Sequence, residues 1–135
     1  MRTVFADTFF FIAQFNPRDR AHAKTLAFTN SYQGRMLTTD WVMVELADAF
    51  AQPPNRGMFV ALYEKLLAAP ELTIVPADRA LLQEGFRLYS QRPDKEWSLT
   101  DCISFVVMQR EGVTEALTGD RHFAQAGFTT LLAHV

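Results

Sequence analysis

Cysteine is nearly missing from the chain. A single thiol, Cys102, among 135 residues rules out an intramolecular disulfide. Such sparse cysteine usage fits a reducing compartment, and the one thiol reads as a small buried apolar group. Long hydrophobic runs are missing too. The amino-terminal stretch "MRTVFADTFFFIAQF" is cut by Asp7, and its longest unbroken apolar piece, residues 9–13, is too short for a signal-peptide core or a membrane span. These gaps lead us to expect a cytoplasmic protein that does not enter the membrane. Nor is there an excess of positive charge: the formal net charge is −2. A domain that grips nucleic acid by charge alone is basic, so bulk electrostatics do not point to such a binder. They leave room for one that gathers its acidic residues in a metal site. Cys or His pairs at zinc-ligand spacing, internal repeats, low-complexity tracts and linkers are all lacking, which makes residues 1–135 a single domain.

What is present is an ordinary globular balance, 49% hydrophobic and 21% charged, enough for one unstapled core. Short apolar runs at residues 1–6, 35–39, 72–76, 115–120 and 128–132 read as five strands. Between them lie helical patterns at residues 8–15, about 19–33, 41–51, 55–69, 78–93, 98–111 and 121–126. Asp19, Asn55, Asp78 and Ser98 are candidate amino-terminal caps, and Gly34, Gly112 and Gly127 candidate stops; Pro53-Pro54 ends the 41–51 helix. Strands alternating with helices predict an α/β fold, a mostly parallel sheet of about five strands flanked by helices. In such sheets ligands bind at the carboxyl ends of the strands, where the strand order reverses.

Four carboxylates fall at that edge. Asp7 ends the first strand and Asp120 the fourth. Glu45 lies early in the helix after the second strand, and Asp101 in the first turn of its helix. Each has a bland reading by itself. Asp7 can open a turn, Asp101 can complete a Ser98-x-x-Asp101 capping box, Asp120 can cap the short helix, and Glu45 can face solvent with Asp48. Taken together, converging carboxylates repel unless protonated or bridged by a cation. An all-oxygen donor set suits Mg²⁺ or Mn²⁺, which can polarise a phosphate and acidify a bound water. His122 can bond a carboxylate or a phosphate, and Arg121, with Arg18 and Arg20, can touch a phosphate backbone. In the ordinary reading His122 is a surface residue and the arginines are solvated. Trp41 and Trp97 read as packing residues, His22 and His134 as bystanders. The run Phe9-Phe10-Phe11 reads as core, or as a partner surface if exposed.

These residues also carry a resemblance. "WSLTDCISFVVMQREGVTEALTGDRHFAQAGF" (residues 97–128), the Asp7-Thr8 pair after the first strand and "TTDWVMVELADAF" (residues 38–50) resemble a PIN-domain ribonuclease, more narrowly a VapC-type toxin of a toxin–antitoxin pair. The resemblance implies a PIN-like fold and an acidic pocket of Asp7, Glu45, Asp101 and Asp120 holding Mg²⁺ or Mn²⁺, with Thr8, Thr100 and Thr118 in support. It implies cleavage of RNA phosphodiesters by metal-activated water, on a structured RNA such as tRNA. It also implies a homodimer and a cognate antitoxin whose carboxy-terminal segment enters the pocket. One departure is Phe9, where many members carry a small polar residue. The alternative is a non-catalytic PIN-like module that binds an antitoxin or RNA. A two-aspartate phosphatase fits poorly, because Phe9 stands where its second Asp belongs. A phospho-receiver fits poorly too, because Asp78 lies beyond a proline.

Overall fold

The computed structural model describes residues 1–133, so His134 lies outside the described residues. In chain order the elements are β1 (Thr3–Ala6), α1 (Thr8–Phe15), α2 (His22–Ser31), β2 (Arg35–Thr39), α3 (Asp40–Ala49), α4 (Pro53–Ala68), β3 (Leu72–Val75), α5 (Arg79–Gln91), α6 (Leu99–Glu111), β4 (Glu115–Leu117), α7 (Arg121–Gln125) and β5 (Thr129–Thr130). The strands make one sheet in the order β3-β2-β1-β4-β5, and every pairing is parallel. The α/β expectation is met. The chain winds outward from β1 through β2 to β3 on one side, then through β4 to β5 on the other. The reversal therefore lies between β1 and β4, where Phe5 pairs with Ala116 and Ala6 with Leu117.

Val4 and Phe5 project to opposite faces of β1, and both are fully buried. The central strand is thus covered on both sides, as parallel sheets require. A chain of aromatic contacts runs out from it. Phe5 meets Phe123 of α7 at 6.2 Å between ring centroids. Phe123 stands edge-on to Phe105 of α6 at 4.9 Å, and Phe105 edge-on to Trp97 at 5.1 Å. This row presses the first turns of α6 and α7 towards the end of β1. Trp97 closes it as a packing residue, its indole N–H donating to Gln125 Oε1 at 3.0 Å. Phe10 and Phe11 are buried against each other, so the phenylalanine run faces the core and only Phe9 stays half-exposed. Cys102 is fully buried, and burial with the nearby Asp101 charge pushes its thiol up to about 11, which keeps it protonated.

Most helix ends follow the sequence. Asp78 accepts from Leu81 N at 2.7 Å, Ser98 and Asp101 form both halves of a capping box, and Gly112 and Gly127 take positive φ. Three ends differ. The Asp19 carboxylate accepts from Ala21 N at 2.8 Å, closing a turn of its own, so α2 begins only at His22 without a side-chain cap. Gly34 is not left-handed, because α2 has already ended in the extended Tyr32. A side chain there would come within 2.6 Å of the Arg2 carbonyl. Pro53 opens α4 rather than merely ending α3, since a first-turn proline lacks only an N–H that has no helical partner; Asn55 is inside the helix. Among the described residues no helix is long and apolar enough to cross a membrane.

Two glycines should respond oppositely to alanine. At Gly85 in α5 an added Cβ would lie 3.2 Å from the Ile103 backbone and collide with its side chain, so Gly85→Ala should destabilise by about 1–3 kcal/mol. Gly57 in α4 has open space, so Gly57→Ala should stabilise by about 0.5–1 kcal/mol. Urea unfolding of both variants measures the signs; a stable Gly85→Ala protein would contradict the close α5–α6 contact.

Candidate active site

Each carboxylate reaches the switch-point edge by a separate local cause. Asp7 follows directly on β1 and is 5% exposed. The Thr118 hydroxyl, just after β4, donates to Asp7 Oδ2 at 3.1 Å and accepts from Asp120 N at 3.0 Å, so one threonine ties together the ends of the two strands that flank the reversal. The capping box orients Asp101: Ser98 Oγ accepts from Asp101 N at 3.0 Å, and Asp101 Oδ2 accepts from Ser98 N at 3.1 Å. Asp120 caps α7, its Oδ1 accepting from His122 N at 2.9 Å. Glu45 arrives from α3, whose start is fixed by Thr39 Oγ1 accepting from Val42 N at 3.1 Å. Its Oε1 accepts the Thr8 hydroxyl proton, while Asp48 one turn on is exposed. The buried Thr38 hydroxyl donates to the Ala6 carbonyl at 2.8 Å and fixes the strand end just before Asp7.

Every one of the four carboxylates thus has one oxygen anchored by a protein donor. Electrostatics join them further. Burial first, then the Asp101 charge and more weakly that of Glu45, push Asp7 up to about 7. Burial also raises Asp101, with Asp120 adding to it and the His122 and Ser98 hydrogen bonds opposing. Burial is the larger raising cause at both residues and repulsion the smaller, and buried carboxylates that repel one another suit a divalent cation. One ligand atom each from Asp101, Asp120 and His122 lie within 4.8 Å of one another, close enough for one ion, and Asp7 and Glu45 are outside that group.

Of its two readings, His122 takes the one in which it bonds a carboxylate. Its Nδ1 donates to Asp101 Oδ2 at 3.0 Å and lies 3.5 Å from Asp120 Oδ1. The available signal was its place two residues after Asp120 at the start of a helix. Arg121 points elsewhere and pairs in solvent with Glu96 at 3.3 Å. Thr100 is half-buried in the first turn of α6, and its carbonyl accepts the Ser104 hydroxyl at 3.0 Å.

Carboxylates from the end of β1, from α3, from α6 and from the β4–α7 turn, set at the switch-point edge of a parallel sheet, define a class. The PIN domain family matches residues 4–129, and the chain belongs to that family. Within it, the chain is 26% identical over 126 residues to the 23S rRNA-specific endonuclease VapC20 of Mycobacterium tuberculosis, in two strains, covering 93% of this chain and 95% of that protein. The crystal structure of M. tuberculosis VapC20, described as a sarcin–ricin loop cleaving toxin, superposes with a TM-score of 0.85 at 23% identity, over 93% of this chain and 96% of the other. FitAcB from Neisseria gonorrhoeae superposes with a TM-score of 0.67 at 19% identity, over 94% and 95%.

The raised Asp7 predicts a pH profile. A buried acid with a folded pKa above its unfolded value contributes stability in full below the unfolded pKa and loses it as pH rises through the folded one. Metal-free protein should therefore lose on the order of 2 kcal/mol from this group between pH 5 and pH 8. Asp7→Asn should flatten that part of the profile and be the more stable protein at pH 8. Urea unfolding in chelator at the two pH values measures it, and an unchanged slope in the variant would assign the effect elsewhere.

Proposed function

We propose that this chain is a divalent-cation-dependent endoribonuclease of the VapC type, a toxin restrained by a cognate antitoxin. The observation that carries the reading is the convergence of Asp7, Glu45, Asp101 and Asp120 at the β1–β4 switch point, with Asp7 driven up by burial and then by its acidic neighbours. Asp7, Asp101 and Asp120 would hold the cation, and Glu45 would ligate it or orient the attacking water. When bound, Mg²⁺ or Mn²⁺ offsets the charge that develops on the scissile phosphate and makes water a better nucleophile. The chain's own residues do the positioning. Thr8 fixes Glu45 at the rim, Thr118 holds Asp7 against the turn that bears Asp120, and His122 and Ser98 hold Asp101. In the hydrolysis water would add to phosphorus as the bond to the leaving ribose oxygen breaks, one proton of the water being lost from the attacking oxygen and one being taken up by the leaving oxygen.

VapC20 is named for 23S rRNA, which makes ribosomal RNA the first substrate to test here and tRNA the next. The family likeness supports a homodimer, an antitoxin segment that enters the pocket, and work in the cytoplasm. Val44 on α3 with Met58 and Val60 on α4 are exposed apolar residues suited to a partner surface.

The test uses purified, antitoxin-free protein with Mg²⁺, Mn²⁺ or chelator, on ribosomal RNA and on tRNA. Cleavage should require the cation, and Asp7→Asn or Asp101→Asn should lower it at least about a hundredfold. Thermal unfolding supplies a second readout. A cation at a hundred times its Kd stabilises by about 2.7 kcal/mol, and that gain should be larger at pH 8 than at pH 6 and lost in Asp7→Asn. Cation-dependent stabilisation with no cleavage of any RNA would favour the non-catalytic module; unchanged cleavage by Asp7→Asn would overturn the site.

A further inference from the structure

Among the described residues, the group of donors close enough for one ion includes a nitrogen. It joins Asp101 and Asp120 to His122 rather than to Asp7 or Glu45. His122 Nδ1 lies 3.0 Å from Asp101 Oδ2 and 3.5 Å from Asp120 Oδ1. The shorter distance is that of a hydrogen bond, and both are spacings found between neighbouring ligands. Two donors at right angles on one ion, each about 2.1 Å from it, are about 3 Å apart. A cation shared by Asp101 and Asp120 therefore has this ring nitrogen within reach.

The fold, and not only the carboxylates, places the imidazole. His122 N donates to Asp120 Oδ1 at 2.9 Å, and Asp120 N to the Thr118 hydroxyl at 3.0 Å, which fixes the turn before the ring. The next residue, Phe123, is fully buried and meets both Phe5 and Phe105. One turn on, Gln125 accepts from the Trp97 indole at 3.0 Å. His122 is thus pinned from both sides along α7. The side chains of Asp101, His122 and Asp120 are 11%, 20% and 33% exposed, so the group is held and still opens to solvent. His22, by contrast, sits at the start of α2 with its Nδ1 2.7 Å from the Ala13 carbonyl.

We propose that His122 is itself a ligand of the bound cation, through Nδ1 beside Asp101 and Asp120, and that this nitrogen makes the site favour a first-row transition ion such as Mn²⁺ or Co²⁺ over Mg²⁺. The proposal rests on the cation-dependent reading above and specifies the ion. Mg²⁺ prefers oxygen donors and gives up water reluctantly, whereas imidazole suits transition ions, whose affinities rise from Mn²⁺ to Co²⁺. A ligating Nδ1 carries no proton, so the neutral ring keeps its proton on Nε2 and the bond to Asp101 gives way to the ion. Asp101 stays oriented by the bond it accepts from Ser98 N.

Cation binding is measured without RNA, so cleavage does not enter the result. Mg²⁺, Mn²⁺ and Co²⁺ are titrated by calorimetry, at one pH, into chelator-stripped wild type, His122→Ala and His122→Asn. Wild type should bind Co²⁺ more tightly than Mn²⁺, and Mn²⁺ more tightly than Mg²⁺. His122→Ala should lower Co²⁺ affinity at least about tenfold more than Mg²⁺ affinity. His122→Asn, which offers an amide oxygen in place of the ring nitrogen, should keep Mg²⁺ binding and lose the preference. A residue that only positions Asp101 would weaken all three ions alike, so equal losses would overturn the ligand role and leave the cation site standing. Pulsed electron paramagnetic resonance gives a direct readout. Bound Mn²⁺ should show hyperfine coupling to one nitrogen, lost in His122→Ala and kept in His22→Gln. Mn²⁺ bound with no nitrogen coupling would overturn the proposal. Folded wild type that binds none of the three ions would overturn it together with the cation-dependent ribonuclease reading.

Discussion

A carboxylate at the end of a strand buried on both faces has no water to turn to. Asp7 is in that position because β1 is the central strand and α/β packing covers both sides of it. Its charge must be lost to a proton, or met by something brought in. The rest of the site is arranged around that constraint. Thr118 gives Asp7 one hydrogen bond, and Asp101 and Glu45 add repulsion rather than relief. The fold holds this conflict in place with the aromatic row from Phe5 to Trp97, which contributes packing and not charge. The fold thus carries at Asp7 a local cost that packing elsewhere offsets.

The division of labour follows the sheet. Strands deliver Asp7 and the Thr118–Asp120 turn with little freedom, because their register is set by paired backbone. Helices deliver Asp101 from the first turn of α6, where the cap decides the angle, and Glu45 from the second turn of α3. The capping reading and the ligand reading of Asp101 turn out to be compatible: the hydrogen bond that completes the cap also orients the carboxylate. The same holds for Asp120, which caps α7 and stands beside His122.

The parts of this arrangement that were legible in the sequence are those governed by local rules. Alternating strands and helices announced the parallel sheet, Ser98-x-x-Asp101 announced its capping box, and four acidic residues at strand and helix ends announced a shared edge. What escaped depended on competition or on contacts distant in sequence. Asp19 was free to choose between capping a helix and closing its own turn, and it closed the turn. Gly34 is explained by the carbonyl of Arg2 more than thirty residues away, which no local pattern records. The strand order that brings β4 beside β1, and with it His122 beside Asp101, lies in tertiary packing alone.

The anchored oxygens settle the angle of each side chain before anything binds. Asp7 commits Oδ2, Glu45 Oε1, Asp101 Oδ2 and Asp120 Oδ1 to neighbouring donors. An oxygen that accepts one hydrogen bond keeps a second lone pair, so these bonds fix the carboxylates without closing them. Side chains ordered during folding have less rotational freedom left to lose when a ligand arrives. The cost of lining up like charges is thus met once, when the chain folds, rather than at each encounter.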